Sequence, residues 1–214
     1  AMGQIEYLKW KATMLGRPDG VKIRLMTRGY SKGKLVPYFQ FRDRALLDFD
    51  PLFYTIQANG RRRKIVTREG LELLVGSALA LAVFYQDDGE YNHYSNQSIL
   101  STCDFTFNEN QMMANQLETL LRATVKVKLK RKRYPRLLLS SGATDRFIEI
   151  VKPFMHESMV YKIDQDISHH LKQGVVEKLV NEYGKKPARL VAKDTGLTLS
   201  EVYVIAYRLR LTRH

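Results

Sequence analysis

Leu81-Ala82-Val83-Phe84-Tyr85-Gln86-Asp87-Asp88-Gly89 is the stretch on which the reading of this chain turns. Ser77 is placed to cap a helix over Ala78–Asp87, apolar almost all round until its acidic end. The small side chains of Ala78, Ala80 and Ala82 would let a second helix approach closely, so this helix is a candidate packing or dimer surface. Asp87 and Asp88 stand at the C-terminal end, where the helix dipole disfavours negative charge. A divalent cation held by the carboxylates would offset that cost. The same nine residues also fit a buried helix with a glycine cap and solvated aspartates.

Working outward, a strand–turn–strand region is expected after Gly89, with Tyr91, Asn92, His93 and Asn96 near its turn and Ile99–Thr106 as its second strand. Asn108 and Gln111 suggest a capping box for a helix whose stripe is Met113, Leu117, Leu120 and Leu121. Val125, Val127 and Leu129 alternate with Lys126, Lys128 and Lys130, which predicts a half-buried strand with the lysines on one face. Tyr134-Pro135 reads as a turn, Arg136–Ser140 as the returning strand, and Phe147, Ile150, Val151 and Phe154 as the stripe of a helix ended by Pro153.

Upstream, Thr67–Val75 reads as a helix closed by Gly76. Before it lie the basic run Arg61–Lys64, a short helix Leu52–Ile56 after the Asp50-Pro51 turn, a strand Val36–Arg42 and a helix over residues 5–15. Around the acidic helix the order is helix, two strands, helix, two strands, helix, hence an α+β fold with a sheet on one side and helices on the other.

Polar residues 164–174 read as a linker between a first domain, 1–163, and a small all-α module, 175–214. In that module Val175–Tyr183 and Pro187–Lys193 are expected helices. A turn at Thr195-Gly196-Leu197 leads to a third helix, boxed by Thr198 and Glu201. This is a helix-turn-helix pattern. In it Ser200, Tyr203, Tyr207 and Arg208 would face a DNA groove, and Lys185, Lys186, Arg189 and Arg210 the backbone. A tri-helical packing or dimerisation unit is the other reading.

Lys and Arg total 35 against 22 Asp and Glu, a formal charge of +13, which calls for a polyanionic partner. No apolar run is long enough for a membrane span, and there is no amphipathic N-terminal anchor or signal peptide, so nucleic acid is the expected partner rather than a membrane. Cys103 is the single cysteine, which excludes an internal disulfide or a cysteine-built zinc cluster and fits a reducing intracellular setting, cytoplasm, nucleoid or organelle matrix. A Gly-rich phosphate loop, an HExxH helix and a nucleophile elbow are all missing from the sequence.

Leu81–Gly89 resembles, position for position, the motif of the LAGLIDADG homing endonucleases in its Asp-Asp-Gly form. Asp50-Pro51-Leu52-Phe53-Tyr54 with Arg63-Lys64-Ile65-Val66 resembles the family's segment before the motif. Leu100-Ser101-Thr102 with Phe105-Thr106 resembles its post-motif strand, and the stretch from Pro153 to Lys162 its closing segment. The resemblance implies an antiparallel saddle in the DNA major groove and metal-dependent, site-specific cleavage of double-stranded DNA. It makes Asp88 a catalytic Mg²⁺ ligand helped by the Gly89 carbonyl, with His156 a basic residue near the metal. Asp104 stands where the family often has a polar residue, so an acid there departs from the pattern. So does the presence of one motif, since two acidic helices are needed to cut both strands. A homodimer through the motif helix or an absent first half would supply the second. A domesticated regulator that binds DNA without cutting it would need none.

Seven basic residues, Lys126, Lys128, Lys130, Arg131, Lys132, Arg133 and Arg136, lie without an acid among them and form the first expected DNA surface. Arg61, Arg62, Arg63 and Lys64 form a second, Arg42 and Arg44 a third, and Lys162 of the closing segment joins the DNA-binding set. Lysines would serve phosphates and arginines could also read guanine.

Overall fold

A computed structural model of the chain describes residues 5–27, 32–40, 44–164 and 174–211, apart from the side chains of Ala45 and Ser200. Helix α1, Ile5–Met14, leads to the hairpin of β1, Val21–Leu25, and β2, Leu35–Phe39. A short α2, Asp50–Phe53, precedes a second hairpin of β3, Tyr54–Ile56, and β4, Arg62–Lys64. The expected helix over 52–56 thus becomes a strand at Tyr54, and the basic run is itself a strand that pairs Arg62 with Ile56.

Helix α3, Arg68–Val75, starts at the Thr67 cap and stops at Gly76, and α4, Ala78–Asp88, starts at the Ser77 cap. Both caps are hydroxyl oxygens that accept a backbone N–H of the first turn, from Gly70 and Ala80. Strands β5, Gly89–Asn92, and β6, Gln97–Leu100, follow α4 directly. Then come α5, Phe107–Leu121, the strands β7, Val125–Lys130, and β8, Tyr134–Leu139, and α6, Ser141–Val151. The four strands form one antiparallel sheet in the order β5-β6-β8-β7.

Three expectations shift by a few residues. The second strand ends at Leu100, and 101–106 is loop. The capping box of α5 is Thr106 with Glu109, not Asn108 with Gln111, because Glu109 reaches back to the Thr106 N–H from the third helical position. Tyr134-Pro135 belongs to β8, and the turn before it uses Arg131 and Lys132 at positive φ, 52° and 58°.

The register sorts the sheet into two faces. Cross-strand partners share a face, so Val125 with Leu139, Val127 with Leu137 and Leu100 with Leu137 point inward, alongside Tyr91 and Ser98. These apolar side chains pack with Leu81, Ala82 and Tyr85 of α4, Met113, Leu117 and Leu121 of α5 and Phe147 and Val151 of α6 into one core. The opposite face carries Lys126, Lys128 and Lys130 with their partners Leu138, Arg136 and Tyr134, then Ile99, Glu90, Asn92 and Gln97.

The C-terminal helices are α7, Val175–Glu182, α8, Ala188–Thr195, and α9, Leu199–Arg208. They enclose a second cluster of Val175, Leu179, Val191, Val202 and Ile205. Gly196, at φ 70°, makes the sharp exit from α8, where a left-handed residue lets the last carbonyls find donors. No helix among the described residues is by itself long and apolar enough to cross a membrane.

Candidate functional site

The acidic end of α4 is held from three sides. Gln86, completely buried, donates to the Ala82 carbonyl and accepts from the His156 N–H at 2.7 Å. Tyr85, also fully buried, donates to the Lys162 carbonyl at 2.8 Å and bonds Ser98 Oγ at 3.1 Å. Lys162 Nζ then donates to two carbonyls at the helix end, Gln86 at 2.7 Å and Gly89 at 2.8 Å. An ammonium there answers the negative pole of the helix and the adjacent carboxylates.

Gly89 is required by packing, not by backbone conformation. Its φ of −84° suits any residue, but a Cβ would stand 2.5 Å from Tyr85 Cε2 and closer still to Cδ2 and the carbonyl oxygen. Only a bare Cα lets the chain turn from the helix into β5 across the face of Tyr85.

The two aspartates have different surroundings. Asp87 pairs with Lys11 of α1, at 2.7 and 3.0 Å from its two oxygens, and Lys11 also sits 4.7 Å from the centre of the Tyr7 ring. Burial, and after it Asp87, pushes the Tyr7 hydroxyl well up. Asp88 is exposed, yet its carboxyl is raised above the ordinary range by desolvation and by Asp87, against the opposing pull of Lys64 and Lys162. Asp104, exposed on the 101–106 loop and 3.9 Å from Lys64, pushes Asp88 the same way as Asp87. Lys162 is lowered by its own burial, although Asp87 and Asp88 work against that. A carboxylate with raised proton affinity at the end of a buried helix is a frequent mark of a functional site.

As a hard oxygen donor Asp88 suits a divalent ion. The Gly89 carbonyl already accepts from Lys162 and has one lone pair left. Among the described residues no group of three or more His, Cys, Asp or Glu is gathered as for a metal. His156 caps the 3₁₀ segment Glu157–Lys162, its Nδ1 engaged with Ser158. Its ring lies against Trp10 and Tyr7, with centroids 5.8 and 6.1 Å away, on the α1 side of the acidic helix.

The basic residues separate into two groups. Lys126, Lys128 and Lys130 are exposed, and Arg136 shares their face. Arg131, Lys132 and Arg133 form the exposed turn beside them, and Arg44 and Arg61 are exposed elsewhere. Lys64, Lys185, Arg189 and Arg210 are exposed as well, and several others are bound within the molecule. Arg62 pairs with Asp50 and lies 4.0 Å over the Tyr54 ring, and Arg63 makes a two-pronged bridge to Glu109 at 3.0 Å on each side. Lys162 is committed to the α4 end. Arg208 points at the β5–β6 turn. Tyr203 and Tyr207 are exposed on α9. Arg42 and the Ser200 side chain lie outside the described residues. Of the three small residues, Ala82 is fully buried within its own core, which leaves Ala78 and Ala80 for any second helix.

Several residues that matter here gave no signal in the sequence. Asn110, fully buried, donates to the Thr102, Phe105 and Thr106 carbonyls and so shapes the loop that carries Asp104. Ser101 N–H donates to the Asp88 carbonyl, tying that loop to the acid. Gln86 is an ordinary polar residue in the motif until its three bonded partners are seen.

Residues 1–147 match the model of the LAGLIDADG DNA endonuclease family. Among solved structures, the chain is similar to the homing endonuclease I-WcaI bound to its DNA recognition sequence. The two are 18% identical with a TM-score of 0.59, over 74% of this chain and 71% of that one, a likeness of fold. No curated protein matches the chain.

Proposed function

This chain belongs to the LAGLIDADG DNA endonuclease family, and we propose that it binds double-stranded DNA at a chosen sequence and cleaves it with Mg²⁺ at Asp88. One observation carries the reading. The helix that ends in Asp88 runs without a loop into β5, and β5 belongs to the sheet whose outer face carries Lys126, Lys128, Lys130 and Arg136. A backbone seated on that face would therefore lie beside the acid. The lysines meet phosphates, and Gln97, Arg136 and the exposed tips of the strands read base edges in the major groove. Tyr203 and Tyr207 of the C-terminal helices, with Lys185 and Arg189, extend the contact.

The ion, held by the Asp88 carboxylate with the free lone pair of Gly89 O in reach, would activate water and stabilise the leaving oxygen. The protein's own groups prepare that carboxylate. Lys162 and Lys64 favour its ionised form. Lys162 also fixes the Gly89 carbonyl, and Lys11 draws Asp87 aside, leaving Asp88 as the presented acid. His156 stands by as a base on the α1 side. One carboxylate makes half of a two-strand cutter, so a second acidic helix completes the site, from a second copy packed on Ala78 and Ala80 or from another segment. By this division the domain of 1–163 cuts, and 175–214 assists binding.

The test is incubation with a randomised duplex library, with and without Mg²⁺, followed by sequencing of bound and cut molecules. Metal-dependent cuts at one sequence are expected, and Asp88→Asn should abolish cutting while sparing binding. Selection of a sequence with no cutting would overturn the nuclease assignment, and cutting by Asp88→Asn would overturn the site.

A further inference from the structure

The turn between β5 and β6 is braced from two directions. On one side α6 holds it. Asn96, at φ 49°, donates from Nδ2 to Ser141 Oγ at 2.7 Å and Asp145 Oδ1 at 2.9 Å, and accepts from the Tyr91 hydroxyl at 2.7 Å. Asparagine adopts the left-handed region more readily than most residues, which suits it to this turn, and the three bonds then fix its side chain. On the other side the C-terminal unit holds it. Arg208, in the last turn of α9, donates from Nη1 to the His93 carbonyl and from Nη2 to the Tyr91 hydroxyl at 3.2 Å. Tyr94, from the same turn, packs into the apolar cluster of α7–α9. The two ends of this contact are 115 residues apart in the chain.

A guanidinium is a rigid planar fork, so two bonds to a carbonyl and a hydroxyl set the angle as well as the distance of what it grips. The gripped turn joins the final pair of the hairpin, Asn92 with Gln97, on the outer face of the sheet. Asn92 spends its Oδ1 on the Tyr94 and Ser95 N–H groups within the turn and can offer a base only its Nδ2, whereas Gln97 can offer both a donor and an acceptor. We propose that Arg208 is a positioning residue for DNA recognition: it fixes the β5–β6 turn from the C-terminal helices and so sets the base preference read by Gln97. This rests on the sheet face being the DNA-reading surface. On this account the C-terminal unit does more than add contacts of its own, since it tunes the reading by a neighbouring hairpin.

The full chain would be tested with four variants. Arg208→Ala removes the fork, and Tyr91→Phe removes one hydroxyl without altering packing. Gln97→Ala identifies the base positions this hairpin reads, and Leu190→Ala, at a half-exposed site on α8, controls for general damage to the helical unit. Two quantities would be measured: amide hydrogen exchange of residues 92–97, and base preference in sequences selected from a randomised duplex library. Arg208→Ala should speed exchange of the turn at least tenfold and flatten preference at the positions lost in Gln97→Ala, leaving other positions unchanged. Tyr91→Phe should do the same to a smaller extent, and Leu190→Ala neither. Unchanged preference in Arg208→Ala, with the parent selecting normally, overturns the proposal. Equal loss at all positions also does, because it marks global damage. A parent that selects no sequence refutes the DNA reading instead, while the exchange data still decide whether Arg208 holds the turn.

Discussion

Glu109 is a heavily bonded carboxylate, and replacing it with glutamine isolates what its charge contributes. Arg63 grips it through two bonds of 3.0 Å, and it also accepts from Thr106 N–H and Oγ at 2.8 and 2.7 Å and from Val66 N–H at 3.2 Å. Burial by itself would raise this carboxyl. The bonds from Arg63, Thr106 and Val66 outweigh burial and hold it at about 2 against an ordinary 4.5. Each tenfold change in proton affinity is worth about 1.4 kcal/mol, so the ionised form stabilises the fold by roughly 3 kcal/mol. The Arg63 side chain is 32% exposed, so solvent screening brings that to about 2–3 kcal/mol.

The sign follows from the direction of the shift. A depressed folded pKa gives stability that is complete above the unfolded value of 4.5 and is lost as pH falls towards about 2. Glutamine keeps the shape and can still serve the capping box. Glu109→Gln should therefore unfold in urea with a stability about 2–3 kcal/mol below the parent at neutral pH, and the gap should close as both are titrated to about pH 2. A gap of the same size at neutral and acid pH would refute the electrostatic account and leave only a packing defect.

Gly89→Ala should lower stability by about 1–3 kcal/mol in thermal or urea melts, the usual cost of forcing a methyl into a filled site, because Tyr85 is fixed by two hydrogen bonds and cannot withdraw. Asp88 has a raised carboxyl, so its ionised form weakens the fold as pH rises through the folded value. Asp88→Asn should melt higher than the parent at neutral pH, with the advantage gone below the unfolded value of 3.8. Replacing Lys126, Lys128 and Lys130 together by alanine should flatten the log–log dependence of DNA affinity on salt by about 2–3, whereas Arg63→Ala, whose charge is spent on Glu109, should leave that slope unchanged and lower stability instead.

Local patterns were readable because the forces behind them act within a few residues. The Ser77 cap, the Thr198–Glu201 box and the lysine alternation of β7 each depend on bonds or faces at most four positions apart and stand in the structure as the sequence implies, and α4 runs one residue past the expected Ala78–Asp87. The family was legible from the nine-residue motif and its flanking segments. The strands β1, β3 and β4 were not: β1 does alternate, Val21-Lys22-Ile23-Arg24-Leu25, but lies among glycines that read as loop, and β3 and β4 have three residues each, too few for a period, so their pairing decides them.

What belonged to the sequence alone was therefore the class of fold, the acid at the end of a buried helix, and a surplus of positive charge in search of a polyanion. Tertiary structure decided which charges remain for that partner. Arg63 and Glu109 are 46 residues apart, Lys162 and Gly89 are 73, and Arg208 and His93 are 115. An exposed arginine and one locked into a carboxylate look the same in one dimension. Which it becomes depends on elements docking across the fold, because a charge is withdrawn from solution only when packing brings its partner within hydrogen-bond range and removes the intervening water.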